Sequence, residues 1–351
     1  MPTAENTWKR DKGRNLDTGY FLPSLLHFII LSLIPAFLPC FLSCSDNAFE
    51  ENGCESEVLL TKSSGSEAVG SVDLFFYNDD KLSRLDSYQR FLSPPSVLTG
   101  RSGSGSKTVH AVANSRTAAY SWLDICSVFA LGKLRTVLDE DNPSSPVMSG
   151  STRIEAGKEA TCGIELRPVM AEVILRSLCC DFSDRIYAGE KLENVRVYLT
   201  GVCVSAPLFS IGPPPASEFI NIGGLDSTEV FSLRHPEYVY RATGRNVGAE
   251  KITPDIHFYC YPNSPDEKSL GSPCTNIVIE GKLGGNTVYY PIEVKQEGGK
   301  GEILRNTRYL VDVRITRRGA SRIGEPLETD AAIIGVSAEP WTEKDKQYVS
   351  F

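Results

Sequence analysis

The sequence predicts a mainly β protein that stacks sheets, and three observations predict it. The first is the run Arg305–Arg317, read RNTRYLVDVRITR, where Tyr309, Val311, Val313 and Ile315 take every second position. Arg308, Asp312, Arg314 and Thr316 fall between them. Successive side chains of a strand point to opposite faces, so this alternation describes one dry face and one wet face. The second is punctuation: Asn306 and Gly319 bracket the run, and similar short apolar runs between turn formers recur along the chain. The third is that only Tyr120–Leu138 carries a helical period. Together they predict a β-sandwich in each half of the chain, with one short helix in the first.

At 351 residues, two domains of ordinary size are expected, each able to bury a core. A net charge of -8 lacks the basic footprint of a nucleic-acid binder, so no nucleic-acid partner is expected. None of the 10 cysteines forms a CxxC pair at zinc spacing. Cys179 and Cys180 are adjacent and point to opposite faces of a strand. Buried free thiols are expected rather than a disulfide framework.

At the N-terminus, Lys9, Arg10, Lys12 and Arg14 precede a nearly unbroken apolar run from Phe21 to Leu42. A basic flank followed by such a run is an export signal. It reaches the roughly 20 residues needed to span a bilayer, although Pro23, Pro35 and Pro39 would kink a permanent helix. The run ends in Phe41-Leu42-Ser43-Cys44, which resembles the bacterial lipobox. Residues 1–43 then read as a lipoprotein signal peptide and Cys44 as the lipidated residue, whose acyl chains give lasting membrane attachment. An uncleaved anchor or a misassigned start is the alternative.

Residues 44–67 are polar and acidic around Val58-Leu59-Leu60, and read either as a tether or as a removable strand. Residues 68–205 form the expected first domain. Val72–Tyr77 is its first strand, with Val72, Leu74 and Phe76 on one face and Asn78-Asp79-Asp80 as the turn. Strands near Leu85–Phe91, Ala160–Arg167, Ala171–Cys179 and Val195–Val204 follow. In the last, Val195, Val197 and Leu199 point inward and Arg196, Tyr198 and Thr200 outward. Gly100–Ser106 reads as a loop. In the expected helix, Trp122, Ile125, Cys126, Phe129, Leu134, Val137 and Leu138 form the buried face. Pro213-Pro214-Pro215 is a stiff connector, which puts the boundary near residue 206. The second domain, 206–351, carries strands at 256–261, 275–280, 289–294, the Tyr309 run and 331–338. Leu283–Asn286, LGGN, reads as a tight hairpin turn.

Chemistry is hard to find. His110, His235 and His257 sit in unrelated settings, with no paired metal spacing, and no G-x-S-x-G elbow occurs. The glycine-rich run at 100–106 lacks the lysine and helix of a phosphate loop. Asp139-Glu140-Asp141 reads as a solvated loop rather than a glycosidase pair, and Asp266-Glu267 is equally ordinary. No catalytic residue, cofactor or metal ligand is expected; a loop calcium site is the one metal reading left open.

A family resemblance enters at IHFYCYPN (256–263), TNIVIEG (275–281), Tyr289-Tyr290-Pro291-Ile292, Arg305-Asn306, the Tyr309 run and Gly319. Pro146–Gly150, Leu166-Arg167-Pro168, Leu175–Glu190, Asn221–Leu225 and the late Trp341 add to it. In this order, from about residue 70 onward, the chain resembles the fimbrillins of the Bacteroidales, the Mfa-like lipoproteins. The resemblance implies two tandem transthyretin-like β-sandwiches in a fimbrial subunit exported as a surface-exposed lipoprotein of the outer membrane. Its partners would be other fimbrial subunits, copies or paralogues. It also implies assembly by β-augmentation: a protease cuts after an arginine or lysine, the first strand leaves, and a neighbour's strand fills the groove. Carried onto this chain, the removable strand holds Val58, Leu59 and Leu60, and the cut follows Lys62. No arginine lies between Cys44 and Arg84, a departure from the arginine cut of the best-known members. The donated strand would hold Ile333, Ile334 and Val336, unless that strand completes its own domain. The alternative function is a non-polymerising anchor, tip adhesin or glycan-binding lipoprotein that meets a host or bacterial surface ligand.

Overall fold

Strand and turn chemistry sets the architecture of the computed structural model, which describes residues 53–62, 68–157, 160–209, 218–265, 273–296, 301–325, 327 and 332–341. All of these lie in the unit Asn52–Phe351. The expected signal peptide (1–43), Cys44, Pro213–Pro215, Asp266-Glu267 and the tail beyond Trp341 lie outside the described residues.

The first half is built from β1 (Cys54–Lys62), β2 (Ser71–Asn78), β3 (Leu85–Leu92), β4 (Val97–Ser102) and β5 (Gly105–Ala113). Next come α1 (Trp122–Ile125), α2 (Val128–Leu131), β6 (Arg135–Val137), β7 (Met148–Ala156) and β8 (Ala160–Pro168). Seven of the strands form one sheet in the order β3-β2-β5-β7-β8-β1-β4. The sheet folds over on itself, so that Val58, Leu60, Val72, Leu74, Phe76, Leu98, Ile164 and Leu166 pack into one core. Its two ends meet through side chains: Gln89 Nε2 donates to the Arg101 carbonyl at 2.7 Å, and Arg101 N donates back to Gln89 Oε1. Val72, Leu74 and Phe76 share the expected face. Phe75 and Tyr77 on the other face are buried as well, in the larger core under α1 and α2.

Two expectations for this half need correction. Gly100–Ser106 is not a loop: its first residues complete β4, which turns tightly into β5. Gly100 is there because a Cβ would stand 2.4 Å from the ring of Phe76. Tyr120–Leu138 is not one helix either. Ser127 Oγ accepts from Ala130 N at 3.2 Å and restarts the chain as a second short helix. Arg135–Val137 then leaves to pair with Ser205–Pro207. Ile125 and Leu131 are buried, but Trp122 and Phe129, assigned to the inner face, are exposed. Competing serine caps outweighed a hydrophobic period that fits a helix only approximately.

The second half contains β9 (Ala171–Cys180), β10 (Glu193–Thr200), β11 (Val202–Cys203), β12 (Ser205–Pro207), β13 (Phe219–Ile220), α3 (Ser227–Ser232) and β14 (Tyr240–Ala242). It ends with β15 (Ile256–Cys260), β16 (Asn276–Leu283), β17 (Asn286–Glu293), β18 (Thr307–Ile315) and β19 (Ala332–Pro340). Two four-stranded sheets, β15-β9-β18-β19 and β14-β10-β16-β17, enclose the larger core. Along β18, Thr307, Tyr309, Val311, Val313 and Ile315 are buried and the residues between them are not. The β16–β17 hairpin turns at Gly284 and Gly285, whose φ of 57° and 81° suit the primed turn that matches strand twist.

Sheet membership changes earlier than residue 206. β9 pairs with β15 and β18, and β10 pairs with β14 and β16, so these two strands share sheets with strands that follow residue 206. Alternation reveals which side of a strand is dry but not which distant strand lies beside it. Tyr198, expected outward, is buried because its hydroxyl donates to Glu280 Oε2 at 3.1 Å. Asp141 is likewise buried rather than solvated: it accepts from Tyr261 Oη at 2.9 Å and Val147 N at 3.0 Å. The fold is mainly β with short helices, and every described cysteine is a free thiol.

Candidate functional site: two strands at opposite kinds of sheet position

The candidate residues named from the sequence, Cys44 apart, fall on β1 and β19. β1 lies inside its sheet. It runs antiparallel to β4, from Cys54 opposite Ser102 to Leu59 opposite Val97. On its other side it runs parallel to β8, from Ser56 opposite Ala160 to Lys62 opposite Leu166. Val58 and Leu60 are fully buried, each contributing about 1.5–3 kcal/mol relative to exposure. Leu59 points the other way and is half-buried. Lys62 is the last residue of the strand and also half-buried. Thr61 Oγ1 donates to the Ile164 carbonyl at 3.5 Å just before it.

β19 is an edge. It pairs with β18 along its whole length, from Ala332 opposite Ile315 to Pro340 opposite Thr307. Among the described residues no strand takes its other side. Ala332, Val336 and Ala338 pack against the core, while Ile333 and Ile334 remain 60% and 38% exposed. Clefts of about 570 Å³ open on both sides of the strand. One lies between Ile334, Val336 and the Pro291–Glu293 end of β17; the other between Ile333, Cys179, Asp312 and Arg314. Natural edges are normally shielded by charge, proline or bulges. Among the described residues, apolar side chains stand here beside backbone that no strand pairs, and Glu339 and Pro340 are the charge and the proline on the strand.

The C-terminal end of β19 is held by a cluster. Trp341 is 3% exposed and its N–H donates to the Asn306 carbonyl at 2.8 Å. Its ring lies 6.1 Å from that of Tyr259, and the Arg308 guanidinium sits 5.5 Å from its centroid. Arg308 Nε also donates to Glu172 Oε2 at 2.7 Å, and His257 Nδ1 lies 2.6 Å from Glu172 Oε1. Burial works to raise the Glu172 carboxyl, but His257 and Arg308 hold it below its ordinary range. The hydrogen bond to Glu172 in turn raises the His257 imidazolium. These residues come from separate strands, so apart from the tryptophan after Pro340 nothing in the sequence announced the cluster.

β1 and β19 belong to different sheets and are not neighbours within the chain. Cys44 lies outside the described residues. Among those residues, no group of histidine, cysteine or carboxylate side chains could hold a metal ion, and no helix is long and apolar enough to cross a membrane.

No family model and no curated protein matches the sequence. Solved structures do. A provisionally assigned cell adhesion protein of Bacteroides eggerthii superposes with a TM-score of 0.62 at 16% identity, covering 83% of this chain and 96% of that one. A fimbrilin of Porphyromonas gingivalis W83 gives 0.59 at 15%, over 84% and 99%. The tip fimbrial protein Mfa3 of Porphyromonas gingivalis, truncated at its C-terminus, gives 0.50 at 13%, over 82% and 100%. The chain thus has the fold of the Bacteroidales fimbrillin and Mfa-like proteins, which the order of its motifs had led us to expect.

Proposed function

We propose that this chain is a structural subunit of a surface fimbria, delivered to the outer membrane by a lipid on Cys44 and joined to other subunits by strand exchange. The observation that carries this reading is the position of β1, a buried interior strand that ends at the candidate cleavage residue Lys62. Its release would leave the facing backbone groups of β4 and β8 unpaired and empty the places of Val58 and Leu60. An incoming strand that restores those hydrogen bonds and refills alternate apolar positions would be strongly retained. β19 of a neighbouring subunit suits the role, because Ile334, Val336 and Ala338 alternate along it and no described strand takes its outer edge. Fold alone does not separate a shaft subunit from an anchor or an adhesin; the apolar edge favours the polymerising role.

Trimming the purified precursor with a trypsin-like protease tests this. The expected new N-terminus is Ser63, and the trimmed protein should assemble into ladders or fibres seen by gel and electron microscopy. Lys62→Gln should block both. A trimmed protein that stays monomeric would sink the polymerising role and favour the anchor or adhesin. Separately, Cys44→Ala should abolish lipid labelling and membrane fractionation, whereas unchanged membrane retention would favour a spanning helix at 21–42.

A further inference from the structure

One end of the first sheet carries a group of large apolar side chains that the strand-exchange reading does not use. Trp122 is 63% exposed, Leu123 79%, Phe129 76% and Leu82 59%. The first three lie on α1 and α2, and Leu82 lies in the β2–β3 turn that backs them. Val128 N donates to the Ser83 carbonyl at 3.1 Å, and Leu85 N donates to the Cys126 carbonyl at 3.0 Å. Beside them Lys133 Nζ sits 4.3 Å from the centroid of the Phe129 ring. A side chain exposed singly is ordinary, but four large ones on adjoining segments mark an interaction surface.

The same end is where β1 begins. Cys54 pairs with Ser102, and Gly103 N, next in the chain, donates to Asp86 Oδ2 at 2.6 Å. Asp79 N donates to the Ser106 carbonyl at 3.1 Å, which ties the β4–β5 turn to the β2–β3 turn. From Cys54 the path therefore runs through both turns to Ser83 and Val128. Cys44 precedes Cys54 by ten residues, and even fully extended that length spans only about 33–36 Å. A lipid on Cys44 would hold this end of the molecule near the bilayer.

We infer that Leu82, Trp122, Leu123 and Phe129 form a second membrane contact, which dips into the interfacial layer of the bilayer that the lipid anchor enters. The inference rests on the Cys44 reading given above. Tryptophan and phenylalanine suit the headgroup boundary, and a single anchoring signal is strengthened by a second. Lys133 can extend past Phe129 to the headgroups. Nearby charges balance, with Lys81, Arg84 and Lys133 against Asp79, Asp80 and Asp124. Insertion is therefore apolar, and it neither needs anionic lipid nor weakens much with salt. A sugar platform would rely on aromatic faces with polar partners; two leucines this exposed favour lipid.

The test uses the full-length protein, expressed, processed and recovered from its membrane, then reconstituted into phosphatidylcholine vesicles carrying brominated acyl chains. Trp8 lies in the leader and Trp341 is buried, so Trp122 is the tryptophan that lipid can reach. Its emission should shift to the blue and lose most of its intensity to bromine, while becoming shielded from aqueous iodide. Leu123→Asp should restore iodide access and remove the bromine quenching, with the near-ultraviolet spectrum confirming an intact fold. Trp122 quenched by iodide and untouched by bromine would overturn the inference, as would protection by added oligosaccharide in place of lipid. The mass of the Cys44 peptide is read on the same sample. A missing lipid there counts against the anchor, whereas bromine quenching reports on the patch either way.

Discussion

His110 shows at the scale of one residue what burial does to an ionisable group. Among the described residues neither of its ring nitrogens has a hydrogen-bond partner, and its ring packs edge-on against Tyr77 and Phe209, with centroids 5.6 and 4.7 Å away. Burial pushes its pKa down to about 4. The unfolded chain takes up a proton as pH falls through 6.5, but the folded chain does so only near 4. Stability supported by the neutral ring is therefore complete above about pH 6.5, declines between 6.5 and 4, and changes no further below, a loss of about 3 kcal/mol. Denaturant midpoints measured across this range should show the slope, and His110→Phe should flatten it. An unchanged slope in the variant would assign the acid sensitivity elsewhere. Gly100→Ala carries the second prediction. The added methyl would meet Phe76 in a packed core, so a loss of about 1–3 kcal/mol is expected by the same measurement. Neither requirement was legible in the sequence: GRSGSGS reads as loop until a ring from another strand is seen lying across it.

At the scale of elements, β1 and β19 should respond to substitution in opposite ways. Leu60→Ala removes a fully buried side chain and should cost about 2–5 kcal/mol. Ile333→Ala trims an exposed one and should stay within about 0.5 kcal/mol. Equal losses would mean that β19 is as integral as β1, which would weaken its case as a strand free to be donated. Trp341 decides how firmly that edge is held. Trp341→Ala removes the stack on Tyr259 and the contact with Arg308, so amide exchange across 332–340 should accelerate while exchange in β9 stays slow. Strands such as β2, β18 and β19 were readable, because alternation of apolar residues is local; β4 through β7 were not read as strands. The helix at 120–138 was misread because serine capping is also local and competes with the period. Val58-Leu59-Leu60 was recognised as strand-sized, but nothing in those letters placed it between β4 and β8.

On the scale of the whole molecule, Arg305 pins the two sets of sheets together. Its guanidinium donates to the carbonyls of Arg167, Pro168, Ser149 and Leu208 and to Ser149 Oγ. Its burial, with Arg167 nearby, lowers its pKa to about 10. All these acceptors are neutral, so the side chain acts as a multiple donor where the chain passes from β8 to β9. Arg305→Leu would strand several carbonyls and should cost about 1–3 kcal/mol. Limited proteolysis should then cut near 168–170 in the variant before it cuts the parent protein.

Fold class, the positions of strands such as β2, β9 and β15–β19, the β16–β17 turn and the family resemblance came from the sequence alone, because side-chain alternation and turn chemistry depend on near neighbours. The tertiary structure decided which strands pair, where the chain crosses between sheets, and that Asp141, Tyr198 and Gly100 serve distant partners. It also separated an interior strand at β1 from an apolar strand at β19 whose outer side no described strand takes, and gathered Leu82 with Trp122, Leu123 and Phe129 at the end where β1 begins. Hydrogen bonds between strands join residues scores of positions apart, and no local pattern of letters records which ones meet.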